Sequence, residues 1–91
     1  MDSERRRRLI QLQRMEVTEA EVYIKLAKRQ KNQKNQMILE KIAIQEKAHY
    51  NILKKSTGID VNPSKIRVSL HVMTSVLFGL SFSLKLMEKI E

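Results

Sequence analysis

The sequence predicts an all-α protein, and three observations support that prediction. Lys, Glu, Gln, Leu, Ile and Met dominate the 91 residues, and all of these favour helices. Only two glycines and one proline are present to end a helix. Apolar residues recur every three or four positions through three long segments. At this length we expect a single domain, residues 1–91.

The first two predicted helices are separated by a short stretch of Asn and Gln. The first helix is expected to begin after an N-cap at Ser3 and to reach about residue 31. The second is expected over about residues 35–56. Gly58 follows it, and glycine readily adopts the left-handed conformation that ends helices.

The third predicted helix begins with Asn62 as N-cap and Pro63 at its first position. An interruption is expected near Gly79. Residues 68–84 carry no formal charge, which raises the question of a membrane span. Such a span needs about 20 predominantly apolar residues, whereas this run of 17 contains a histidine, a threonine and four serines. We therefore predict a buried helix of a bundle.

Charge and cysteine content narrow the function classes. The chain has a net charge of +8 and no cysteine. The lack of cysteine excludes disulfides and thiolate-bound metals, and it favours a cytoplasmic location. Basic clusters at residues 5–8 and 25–34 indicate either a solvated surface or binding to nucleic acid or an anionic membrane. No aromatic residue lies among them to stack on bases, so the solvated surface is our prediction.

Each predicted helix carries a carboxylate on its apolar face. At 100° per residue, Glu19 lies among the apolar residues of the first helix and Glu46 among those of the second. His49 follows on the same face as Glu46. In the third helix, Glu88 and Glu91 extend the apolar stripe. An ionised carboxylate on an apolar face is unfavourable unless it is paired or binds a metal.

The first two helices bring these groups to one level if they form an antiparallel hairpin that turns near Gln33. Glu19 then lies 14 residues before the turn and Glu46 lies 13 after it, so both are about 20 Å from the loop. Two carboxylates and a histidine at one level in a dry interior predict a metal site. Tyr23 and Tyr50 flank them and are expected to donate hydrogen bonds to the carboxylates. The alternative is a surface hairpin whose histidine only borders the core.

Several stretches of the chain resemble the rubrerythrin branch of ferritin-like proteins. The first two are residues 19–27 and 38–49, which contain the Glu-x-x-His motif. The continuation through Gly58, residues 78–80 and residues 85–91 is similar to the rubrerythrin-like domains that occur alone or before membrane domains of the vacuolar iron transporter type. This resemblance implies a four-helix bundle that holds a dinuclear iron site. It also implies ferroxidase or peroxide-related oxidoreductase chemistry, although the residues leave open whether the chain is an enzyme.

The resemblance also implies roles for particular residues. Glu19 matches the ligand of the first helix, and Glu46 with His49 matches the Glu-x-x-His pair. Glu91, or Glu88, matches the carboxylate of the third helix. Members of the family have a fourth helix with a second Glu-x-x-His, so we expect this chain to be a partial domain.

A homo-oligomer is the expected state, as a dimer or a higher even number. A second copy would complete the bundle and double every ligand. It would also cover an apolar stripe on the third helix that a monomer leaves exposed, made of Leu70, Met73, Leu77 and Leu84. The alternative function is a helical interaction or nucleic-acid-binding module that uses the basic face.

Overall fold

The chain folds into α-helices, and the computed structural model describes residues 2–90. Helix α1 spans Ser3–Arg29 and α2 spans Gln33–Thr57, with a three-residue turn between them. Helix α3 spans Lys65–Phe78 and α4 spans Leu80–Ile90. No strand is formed within residues 2–90. The predicted all-α class is confirmed.

Side chains and one glycine fix the ends of α1 and α2. Asp2 accepts a hydrogen bond of 2.8 Å from the Arg5 amide, so the N-cap of α1 lies one residue before the predicted one. Asn32 caps α2 in the same way, through the Asn35 amide at 3.1 Å. Gly58 ends α2 with a φ of 75°, in the left-handed conformation that the sequence predicts.

Helices α1 and α2 form an antiparallel hairpin, and a buried glutamine ties its open end together. Gln13 is fully buried in α1. Its amide oxygen accepts a hydrogen bond from the Thr57 hydroxyl at the end of α2. Its amide nitrogen donates to the Ile59 carbonyl at 2.8 Å. The end of α2 and the start of the next segment are therefore held against α1.

The linker, residues 58–64, packs against the hairpin through the hydroxyl of Tyr50. This hydroxyl accepts a hydrogen bond from the Val61 amide at 2.8 Å and donates one to Asp60 Oδ1 at 3.1 Å. Lys54 pairs with the same aspartate at 2.7 Å. Tyr50 and Val61 are both buried, together with Val17 of α1. The linker thus forms a small core of its own with the hairpin.

Helix α3 begins later than the sequence predicts. Its N-cap is Ser64, whose hydroxyl accepts a hydrogen bond from the Arg67 amide. The Ser64 amide in turn donates to Thr18 Oγ1 of α1 at 2.9 Å. Asn62 and Pro63 therefore precede the helix, and the predicted cap is wrong. The non-helical stretch continues to Ser64, where this bond to α1 is made.

Gly79 divides the third predicted segment into two helices. Its backbone, with a φ of 96° and a ψ of 162°, cannot belong to a helix, and the predicted interruption is confirmed. The Ser83 hydroxyl of α4 donates to the His71 carbonyl of α3 at 2.9 Å, which joins the two helices. Within residues 2–90, no helix has the length and hydropathy that crossing a membrane requires.

The main core lies where α3 and α4 cover one face of the hairpin. It contains six buried residues, and together they come from all four helices: Val22, Leu26, Ala27, Leu39, Val68 and Met87. The partly buried Leu84 packs against them. Leu70, Met73 and Leu77 of the predicted stripe are instead exposed. Val68 and His71, three residues apart, occupy the inward face of α3, and the stripe lies on the opposite face.

Candidate metal centre

Three side chains from α1 and α2 converge across the hairpin interface, namely Glu16, Glu46 and His49. Each offers one ligand atom, and these atoms lie within 4.8 Å of one another. His49 Nδ1 is 3.5 Å from Glu16 Oε2 and 4.0 Å from Glu46 Oε1. The two carboxylates are largely buried, whereas the imidazole is 57% exposed. The group therefore opens to solvent on the histidine side.

Glu19, the ligand that the sequence predicts from α1, also reaches Glu46. Burial raises the pKa of Glu46, but hydrogen bonds from Glu16 and Glu19 and the charge of His49 outweigh it and hold this pKa below the usual 4.5. The three carboxyl groups therefore lie close together, with Glu46 between the other two and His49.

The length of the turn explains why Glu16 lies opposite Glu46. The turn consists of residues 30–32, so it centres on Lys31, two residues before the predicted position. Glu16 lies 15 residues before Lys31, and Glu46 lies 15 after it. Glu19 lies nearly one turn closer to the loop, because each residue rises 1.5 Å along a helix. The expected pairing of Glu19 with Glu46 at one level is thus corrected, although the two side chains still meet.

Of the other predicted site residues, Tyr50 and Glu88 do not join this group. The hydroxyl of Tyr50 donates its one proton to the linker, so the expected bond to the carboxylates is not made. Tyr23 is partly buried and packs against the main core. Glu88 is exposed on α4 and is not in the cluster that the described residues form. Glu91 lies outside the described residues.

The donor set of the cluster fits a transition-metal ion. Metal–nitrogen and metal–oxygen bonds are about 2.0–2.2 Å long, so two ligand atoms on one ion lie about 3–4 Å apart. The separations of 3.5 and 4.0 Å match that span. Carboxylate oxygens with an imidazole nitrogen suit iron, manganese and zinc.

The basic clusters are exposed, which fits both the predicted solvated surface and the alternative of binding to nucleic acid or a membrane. Arginines 5–8 are exposed on the first turns of α1, and Arg8 pairs with Glu4 at 3.1 Å. The basic residues of the second cluster, residues 25–34, are exposed as well. Exposed ion pairs of this kind contribute little to stability.

No family model, curated protein or solved structure matches this chain. The resemblance to rubrerythrin-like domains therefore stays a prediction.

Proposed function

We propose that the chain binds Fe(II) through Glu16, Glu46 and His49, with Glu19 as a further donor. The observation that supports this most is the convergence of three ligand atoms within 4.8 Å across two helices. A simple ion pair would need one carboxylate for the imidazole. Here Glu16 and Glu46 both lie beside His49, and Glu19 bonds to Glu46 as well. Three carboxyl groups therefore crowd around one imidazole.

The exposure of the ligands indicates how a metal would be held. Glu46 is only 18% exposed, so it lies at the inner end of the site and orients the ion. His49 is the most exposed ligand and lies on the side from which an ion arrives. A bound iron would supply redox chemistry. Oxidation of Fe(II) is the activity that we propose from the family resemblance, and Mn(II) or Zn(II) are proposed as substitutes.

We further propose a ferritin-like, dinuclear site that a second copy of the chain completes. One chain offers one Glu-x-x-His pair, which is half of the set that dinuclear bundles use. Seven large apolar side chains of α3 and α4 are half exposed or more, a surface that soluble monomers rarely present. They are Ile66, Leu70, Met73, Val76, Leu77, Phe78 and Phe82. A two-fold contact through this face would bury it and bring two ligand sets into one particle.

Anaerobic titration with Fe(II), followed by exposure to air, tests the proposal. We expect saturable binding of one iron per chain and an absorbance change when oxygen is admitted. A variant with both Glu16→Gln and Glu46→Gln serves as the control for iron held loosely elsewhere. If this variant binds as much Fe(II) with the same affinity as the wild type, the proposed site is wrong.

A further inference from the structure

A cleft of about 440 Å³ lies between α1, the linker, α3 and α4. This volume is within the range of small-molecule sites. Seven polar residues from three of these segments line it: Gln11, Arg14, Thr18, Glu19, Ser64, Arg67 and His71. None of the three clustered metal ligands is among its lining residues. Glu19, which also reaches Glu46, lines the cleft, so the cleft adjoins the candidate metal centre without including its three clustered ligands.

Among the lining residues, His71 gives the strongest indication that the cleft binds a ligand. It is only 8% exposed, and its Nδ1 atom is buried. No hydrogen-bond partner for this atom is found among the residues that the structure describes. Buried polar atoms are nearly always paired with protein, water or a ligand. The ring of His71 lines the cleft, so a small turn of the ring would let a ligand there supply the missing partner.

The charges around the cleft favour an anion. Arg67 and His71 are four residues apart on α3, so they share one face. Burial, and to a smaller degree the charge of Arg67, lower the pKa of His71 below 6.5, so its neutral ring has one N–H to donate. Arg14 adds a second guanidinium group from α1. The acidic residue of the lining is Glu19, whose carboxyl is hydrogen-bonded to Glu46.

We infer that this cleft binds a phosphate group, either as the free ion or on a small molecule. Arg14 and Arg67 supply the charged contacts, since guanidinium groups match the geometry of phosphate oxygens. The neutral ring of His71 supplies a further hydrogen-bond donor. The two guanidinium groups disfavour a metal cation at the same place. The inference goes beyond the proposed metal site and does not use its three clustered ligands.

Titration of the metal-free chain with inorganic phosphate tests this inference. The chain has two histidines, His49 and His71, so nitrogen NMR resolves both rings. Near neutral pH and in excess chloride, we expect the ring signals of His71 to shift until saturation. Those of His49, which does not line the cleft, should stay in place and serve as an internal reference. An unmoved His71 signal would overturn the inference.

Matched arginine variants separate the cleft from general attraction to a basic protein. Arg67→Gln and Arg14→Gln should each weaken phosphate binding about 10-fold or more, because each removes a charged hydrogen-bond donor. Arg7→Gln, an exposed change among the first arginines of α1, should leave binding unchanged. If Arg7→Gln weakens binding and Arg67→Gln does not, phosphate is held by the basic start of α1 and the inference is wrong.

A parallel titration with glycerol phosphate distinguishes the two sources of the phosphate group. Tighter binding of glycerol phosphate, with the same dependence on Arg67, would indicate a phosphorylated small molecule. Equal or tighter binding of inorganic phosphate would indicate the free ion. Both results support the cleft as a phosphate site, whereas loss of the dependence on Arg67 in both titrations would contradict it.

Discussion

The Nδ1 atom of His49 lies 3.5 Å from Oε2 of Glu16, across the interface between α1 and α2. The two residues are 33 positions apart in the chain, and the three-residue turn between the helices brings them level. Glu46, three residues before the histidine, completes the cluster on the same side of α2. The turn thus positions a ligand set that spans both helices.

Removing a ligand from this cluster should weaken metal binding. We expect Glu16→Gln and His49→Ala each to lower the affinity for Fe(II) or Mn(II) by at least about 10-fold, because each removes a donor atom. Calorimetric titration under anaerobic conditions measures this. Glu21→Gln is the matched control, since Glu21 lies on α1 but lines a different groove. An equal loss in the control would mean that general charge, and no specific site, holds the metal.

Metal should also stabilise the folded chain. Carboxyl groups that crowd one another are unfavourable without a cation, and an ion bound only by the folded state raises stability by mass action. At a free Mn(II) concentration 100 times the dissociation constant, the gain is about 2.7 kcal/mol. For a domain of this size that corresponds to a rise in Tm of roughly 10–20 °C. Thermal unfolding followed by circular dichroism measures it, and His49→Ala should show a much smaller rise.

The sequence predicts the hairpin and the two cluster residues of α2, because helical periodicity depends only on residues that are close together in the chain. Glu46 and His49 are placed correctly by their spacing on one helix. The α1 partner, Glu16, is missed because its level depends on where the turn lies. If the centre of the turn moves by two residues, the α1 position that lies opposite Glu46 moves by four, because equal numbers of residues must separate both from the turn. Asn32, a typical N-cap residue, is the signal that would have placed the start of α2 at the observed residue.

The parts that the sequence predicts poorly depend on contacts between distant residues. Gly58 is predicted correctly because its left-handed conformation is a local preference. The start of α3 is not predicted correctly, because the hydrogen bond between Ser64 and Thr18 of α1 helps to fix it. The role of Tyr50 is likewise missed, because its hydroxyl bonds to a linker without helical periodicity.

The stability of the metal-free chain should fall as the pH decreases below 6.5, in part because of His71. Burial and the nearby Arg67 lower the pKa of His71 in the folded chain, so the unfolded chain binds more protons below pH 6.5. Protonation of His71 therefore lowers stability while the pH lies between the pKa values of the unfolded and the folded chain. Below the pKa of the folded chain, this residue causes no further loss. Urea unfolding of the wild type and of His71→Phe, at neutral and mildly acidic pH, measures this. The variant should lose less stability over that interval, and an identical loss in both proteins would contradict the assignment.

The bond between Tyr50 and the linker should contribute to stability without affecting the metal. Tyr50→Phe removes the acceptor of the buried Val61 amide, and an unsatisfied buried group costs about 1–3 kcal/mol. Urea unfolding should show a loss of that size. Metal affinity should be unchanged, because the tyrosine hydroxyl bonds to the linker. A 10-fold loss of metal affinity in Tyr50→Phe would restore the sequence-based expectation that this hydroxyl supports the carboxylates.

The exposed apolar face of α3 and α4 should mediate self-association. Leu70 and Leu77 are 57% and 66% exposed on the outer side of α3, and burying them against a second copy removes apolar surface from water. We expect light scattering to give the mass of a dimer or a larger even-numbered oligomer. The double variant Leu70→Gln and Leu77→Gln should shift the mass towards the monomer.

A matched pair of changes on α2 shows whether that face is specific. Ile44 and Ile52 are 70% and 63% exposed, so changing both to Gln removes as much exposed apolar surface away from α3. This control should keep the oligomeric mass of the wild type. Dissociation by both double variants would indicate non-specific association. A wild-type monomer that still binds one metal tightly would leave a mononuclear site within one hairpin, because Glu16, Glu46 and His49 all come from the same chain.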